Sequence, residues 1–154
     1  MKKRMVLDAS VLTSIVNSDD ALHLPCYHFF RVHHDADSAT WVVPGLLIFE
    51  FQATQSRRYR ELHPERKSVF RDAPLFVDKC ELYDISKEFI WKVHELRLYD
   101  LFDKLRGADL LYACIAKVEQ IPLITHDKGF SPYNGDIALI NPAALEDEFL
   151  SSRD

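Results

Sequence analysis

Short apolar runs that stop at, or just before, an acidic residue alternate with longer stretches of helical spacing. Met5-Val6-Leu7 runs directly into Asp8, and Leu123-Ile124-Thr125 is followed two residues later by Asp127. Runs of this length and apolarity read as buried strands. Further strands are expected over residues 40–43, 81–83 and 137–140. Between them, helices are expected over 9–16 and from Leu24-Pro25 to about His34, with proline in the first turn. Pro44 should open a helix running through Leu47, Glu50 and Ala53 to about Arg58. Ser86 should cap another, with Phe89, Ile90, Val93 and Leu96 as its apolar stripe. Residues 108–118 form the most apolar helix, and 143–150 a terminal one. Strand–helix alternation implies an α/β fold with a mainly parallel sheet covered on both faces. Its pocket then lies beyond the carboxyl ends of the strands, where Asp8 and Asp127 both fall.

The chain has 154 residues, 47% hydrophobic and 28% charged, which fits one globular domain spanning 1–154. No apolar run approaches the roughly 20 residues of a membrane-spanning helix. The basic start Met1-Lys2-Lys3-Arg4 is not followed by a signal-peptide core, because Asp8 interrupts the apolar stretch at once. A cytoplasmic protein without membrane contact is expected. Cys26, Cys80 and Cys114 lack disulfide or metal spacing and read as reduced, buried thiols. A net charge of -5 argues against a protein that coats nucleic acid. It leaves room for an enzyme that grips phosphate through metal ions and a local basic patch. With four glycines, no Gly-rich phosphate loop is present. His23, Cys26, His28, His33 and His34 share no helix face and read as helix surface rather than a zinc site. Phe29, Phe30, Trp91 and Phe102 read as core or dimer contacts.

Two more acids stand where acids are costly. Glu50 is the sole charged residue between Trp41 and Phe51, and Asp109 heads the run Leu110-Leu111-Tyr112-Ala113-Cys114-Ile115-Ala116. Burying an unpartnered carboxylate costs several kcal/mol, and four together also repel one another. A divalent cation resolves the conflict, and oxygen-only ligands favour Mg²⁺ or Mn²⁺. Each acid alone also has a structural reading. Asp8 is a potential helix N-cap, Asp109 a first-turn acid, Asp127 a turn residue, and Glu50 the partner of an arginine between helices.

Taken in order, the motifs carry more. Val6-Leu7-Asp8-Ala9-Ser10-Val11-Leu12, Val43-Pro44 with Glu50, Leu105-Arg106-Gly107-Ala108-Asp109-Leu110-Leu111-Tyr112-Ala113 and Pro122-Leu123-Ile124-Thr125-His126-Asp127 follow one another along the chain. This ordered set resembles the PIN-domain ribonucleases, most closely the VapC-type toxins of prokaryotic toxin–antitoxin modules. The resemblance implies a three-layer α/β/α sandwich and a Mg²⁺ or Mn²⁺ site lined by Asp8, Glu50, Asp109 and Asp127. A hydroxyl such as that of Ser10 or Thr125 would support the site. It further implies RNA as substrate, products with a 5′-phosphate and a 3′-hydroxyl, frequent homodimers and a small antitoxin partner. Residues 56–79 match no family motif, so the RNA target stays open.

Substrate capture needs cations near the acids. Arg57, Arg58, Arg60, Arg66, Lys67 and Arg71 cluster in one segment, and Lys104, Arg106 and Lys128 flank two of the acids. These are candidate RNA contacts, with a solvated helix face as the plainer reading. Two other function classes compete. One is a PIN-like domain that binds RNA or protein without cutting. The other is a phosphoryl-transfer protein with Asp8 as nucleophile, for which Ser10 stands where a second acid is expected.

Overall fold

β1 (Lys3–Leu7) is the middle strand of a five-stranded, all-parallel sheet in the computed structural model, which describes residues 2–62, 64 and 80–145. β2 (Ala39–Pro44) and β3 (Cys80–Tyr83) lie to one side; β4 (Leu123–Ile124) and β5 (Leu139–Ile140) lie to the other, giving the order β3-β2-β1-β4-β5. The chain thus builds outward from β1 in one direction, then returns to fill the opposite side. That reversal makes a crevice between the carboxyl ends of β1 and β4, the usual place for a ligand in an open α/β sheet. Right-handed crossovers place the helices before and after the reversal on opposite faces, giving three layers.

On one face α1 (Ala9–Val16) packs against α2 (His23–Asp35) and α3 (Gly45–Leu62). On the other, α4 (Lys87–Glu95) packs against α5 (Leu98–Leu101) and α6 (Gly107–Glu119), and α6 lies on β1. A 3-10 helix, Lys128–Tyr133, links β4 to β5. Met5, Val6 and Leu7 are buried, as are Ala113 to Ala116 on α6, so the two most apolar stretches of the chain meet in the core. Trp41 is also buried, with Phe30 stacked on it at 5.1 Å between ring centroids. Cys26, Cys80 and Cys114 are free thiols; Cys80 is half-buried and the other two are buried. Among the described residues no helix is long and apolar enough to cross a membrane.

Several expectations need correction. Pro44 does not open α3; it is the last residue of β2, paired with Tyr83, and the helix begins at Gly45. Proline's fixed φ suits the end of a strand as well as a first helical turn. Of the α4 stripe, only Phe89 and Val93 are buried, while Ile90 and Leu96 are about half exposed. Ser86 does cap α4, accepting from Phe89 N–H at 3.1 Å. α5 was not expected: Arg97, at φ +52°, breaks the helical period just before it. β5 is shorter than residues 137–140, because Ile137 is buried in a bridge to Asn134. Trp91 is 71% exposed and belongs to no core. Residues 142–145 are helical; the rest of the terminal helix lies outside the described residues, as do Arg66, Lys67 and Arg71.

Phe102 is fully buried and meets Tyr133 edge-on at 5.2 Å. Phe102→Ala is expected to cost about 3–5 kcal/mol, read as a lowered urea midpoint with an unchanged slope.

Candidate active site

The register of β1 against β4 builds the centre. Leu7 pairs with Ile124, and Asp8 N–H continues the ladder to Ile124 O at 3.1 Å. Asp8 and Thr125 therefore leave the sheet side by side. Thr125 Oγ1 donates to Asp8 Oδ2 at 2.7 Å, Ser10 Oγ donates to the same oxygen at 2.6 Å, and Ser10 N–H donates to Oδ1 at 3.1 Å. Asp8 is only 4% exposed, and these three donors offset the cost of burying its charge. It is also the N-cap of α1, as its structural reading expected.

The other acids reach the same rim from three elements. Thr125 Oγ1 also accepts Asp127 N–H at 3.0 Å, and Asp127 Oδ1 accepts Gly129 N–H at 2.7 Å, capping the 3-10 helix. Glu50 lies in the second turn of α3. Its Oε2 accepts from the buried Tyr112 hydroxyl at 3.0 Å, not from an arginine. Asp109 sits in the first turn of α6, which the chain enters through Gly107 at φ +54°, a conformation a side chain would strain. Tyr112 is one turn beyond Asp109 on the same helix face.

These carboxylates feel one another. Burial first, then the charges of Asp8, Asp127 and Glu50, push the Asp109 carboxyl up to about 6. Burial and Glu50 also drive the Tyr112 hydroxyl well above its ordinary value, so it stays a donor to Glu50. None of the four acids forms an ion pair among the described residues. Four oxygen ligands with excess negative charge fit a hard divalent cation chemically. Among the described residues, however, no three His, Cys, Asp or Glu side chains close into a ready-made cage. Asp8, Glu50 and Asp127 are each turned toward a hydrogen-bond donor, the arrangement that commonly orients metal ligands.

A cleft of about 390 Å³ opens beside the acids, lined by Ser10, Ser14, Glu50, Thr54 and His126. His126 Nε2 lies 3.1 Å from the Oγ of buried Ser14, which fixes the ring at the cleft wall. A larger cleft of about 570 Å³ shares Thr125, His126 and Asp127. Sequence reasoning missed two contributors, Tyr112 and His126. The i, i+3 spacing from Asp109 would have flagged Tyr112; nothing in the sequence pointed to the Ser14–His126 contact.

The basic candidates divide. Arg57 is exposed, two turns beyond Glu50 on the same face of α3 and so about 10 Å further along it. Arg58 pairs with Asp19, and Arg60 Nε donates to Ser56 O at 3.2 Å. Arg106 is spent on the carbonyls of Asp103 and Leu105. Lys104 is exposed, and Lys128 is exposed in the wall of the larger cleft. Among the other early candidates, Cys26 is core, His23 Nδ1 lies 2.9 Å from Ser14 O, and His33 Nδ1 lies 3.0 Å from Ser38 Oγ.

The raised Asp109 carboxyl has a sign. Its folded value, about 6, exceeds the ordinary 3.8, so the folded state holds its proton more tightly than the unfolded state. Stability therefore falls as pH rises through that window and is lowest above it. In EDTA, Asp109→Asn is expected to raise stability at pH 7.5 by about 1 kcal/mol, a value discounted for partial exposure. By pH 4 the variant and the parent should converge, as urea denaturation at the two pH values will read.

Comparison with known proteins agrees with this architecture. The chain is similar in fold to VapBC2 from Rickettsia felis, solved bound to a DNA fragment from their promoter, at 18% identity and a TM-score of 0.61, covering 90% of this chain and 98% of that one. It is similar to PAE2754 from Pyrobaculum aerophilum at 15% identity and a TM-score of 0.57, covering 98% and 99%. FitAcB from Neisseria gonorrhoeae follows at 18% and 0.55, covering 90% and 98%. No curated protein matches significantly. The family model described as PIN domain matches residues 5–135, a stretch that holds all four acids, and the chain belongs to the PIN-domain family.

Proposed function

We propose that this PIN domain is a Mg²⁺- or Mn²⁺-dependent endoribonuclease, the VapC-type toxin of a cytoplasmic toxin–antitoxin pair. The observation that carries the reading is the unpaired meeting of Asp8, Glu50, Asp109 and Asp127 at the β1–β4 crevice, where Asp109 registers the charge of the other three. Family membership adds support, since PIN domains are generally nucleases, and so does the fold shared with the VapBC2 and FitAcB chains.

Asp8 and Asp109 would hold the cation directly or through water, Asp127 would complete a second position, and Glu50 would bind metal or orient the attacking water. A bound divalent cation would supply water activation and stabilisation of the leaving oxygen. Ser10 and Thr125 hold Asp8 in place, and Tyr112 holds Glu50. Arg57 and Lys128, with Lys104, steer the RNA backbone to the rim. In-line attack on phosphorus breaks the bond to the 3′ oxygen, leaving that oxygen as a hydroxyl and the phosphate on the 5′ side of the downstream fragment. The proposal includes a homodimer and a small antitoxin that covers the acidic rim.

The test incubates the purified protein with total RNA in Mn²⁺, Mg²⁺ or EDTA and sequences the fragment ends. Cleavage should need the cation and vanish in Asp8→Asn; cutting that survives in EDTA or in that variant would sink the reading. Thr125→Val, which removes a support rather than a ligand, should lower the rate by about 10–100-fold. Reversing Arg57 and Lys104 together should weaken RNA binding and lower its salt slope by about 1 per charge removed.

A further inference from the structure

The larger cleft has no role in holding the acids together. From Thr125, His126 and Asp127 it runs along β5 to Phe29 and His33 on α2, enclosing about 570 Å³. That volume lies within the roughly 300–1,000 Å³ of small-ligand sites. Its walls are unlike those of the smaller cleft. Phe29, edge-on to His33 at 4.6 Å, and Ile140 supply aromatic and apolar surface, whereas no aromatic ring lines the smaller cleft apart from His126. Asn134 and Ser131 add polar groups, and Lys128 stands at the mouth beside Asp127.

Charge singles the cleft out as well. In a chain of net charge -5, Asp127 is the one acid among its described lining residues, against two lysines, Lys3 and Lys128. Lys128 forms no ion pair among the described residues. His33 is held on the neutral side by burial and by Lys3, so its ring can exchange hydrogen bonds with a base without adding charge. An aromatic wall, an amide and a cation at one mouth match how proteins take up unstacked RNA bases.

The geometry points to this cleft as the subsite for one unpaired RNA nucleotide flanking the scissile phosphate, with Phe29 against the base, Asn134 at its edge and Lys128 on its phosphate. This assignment rests on the ribonuclease reading. It deepens that reading by making the substrate single-stranded at the cut and by placing base choice outside the carboxylate cluster.

Two measurements on the full chain decide it. The first follows amide shifts in EDTA as each of the four 5′-nucleoside monophosphates is added. Saturable shifts at Lys128, Asn134 and the Phe29–His33 stretch are expected, and Lys128→Ala or Asn134→Ala should weaken them by about two- to tenfold. Both side chains are exposed, so these variants leave the core intact where Phe29→Leu disturbs it. The second sequences RNA fragment ends. Asn134→Ala and Phe29→Leu should still cut in a cation-dependent way, with base preference flattened at one position beside the cut; Lys128→Ala should flatten it too, with weaker RNA binding.

Absence of nucleotide-dependent shifts overturns the subsite. So does an unchanged base preference in all three variants, or occupation of the cleft by a second copy, seen as shifts that follow protein concentration instead of nucleotide. A parent protein that cuts no RNA overturns the ribonuclease reading, and the nucleotide titration then judges the cleft by itself.

Discussion

Asp8 meets Thr125 across the seam between β1 and β4, and a single hydroxyl ties the two together while also receiving Asp127 N–H. The rest of the rim depends on that seam. It exists because β4 joins β1 in parallel with Leu7 opposite Ile124, the last residue of each strand. A shift of one residue in this register would turn Asp8 or Thr125 to the opposite face and leave a buried carboxylate without its cross-strand donor. The apolar residues just before the seam, Met5 to Leu7 and Leu123 to Ile124, are fully or nearly fully buried, so the core itself penalises slippage.

The two ends of the sheet handle negative charge in contrasting ways. Toward the amino-terminal end of β1, Arg4 spans Glu81 of β3 and Glu119 at the end of α6, and Tyr83 donates to Glu119 at 2.7 Å. That cluster gives both glutamates a cationic partner within the protein and ties strand, strand and helix together. At the carboxyl end four acids gather with hydroxyls and amides, but among the described residues no lysine or arginine forms an ion pair with them. Asp8 is buried there, Glu50 and Asp109 are half-buried and Asp127 is exposed, so burial raises the cost of the first three charges, and the fold bears it because the rim is set by sheet register and helix starts, not by the acids themselves. Asp8 and Asp127 double as helix caps, while the raised carboxyl of Asp109 is of the kind that clusters at functional sites.

Much of this was legible in the sequence, for identifiable reasons. Strands as apolar as Met5-Val6-Leu7 and helices as periodic as α6 declare themselves, and α1 and α6 sit within a residue of where spacing put them. The acids stood out because Glu50 and Asp109 interrupt apolar runs. Other features were hidden by the same chemistry. Tyr112 looked like one more apolar residue until its hydroxyl was found on Glu50. Pro44 suits a strand end and a helix start alike, so spacing could not choose. The 3-10 helix contains Gly129 and Pro132, which read locally as a turn. Strand order was beyond reach, since only tertiary packing decides that β4 returns to the far side of β1. The large cleft, assembled from α2, β5 and the 3-10 helix, has no contiguous signature at all.

The separation of 117 residues between Asp8 and Thr125 has a bearing on how the protein is made. Synthesis runs from the amino end, and segments begin to fold as they emerge. The nascent chain acquires Asp8, Glu50 and Asp109 before it acquires the hydroxyl that steadies Asp8, and Asp127 with it. A growing chain on the ribosome that has not yet reached Thr125 therefore lacks the finished rim. Whatever chemistry the assembled rim performs is withheld from the translating machinery beside it until the β4 segment has joined β1.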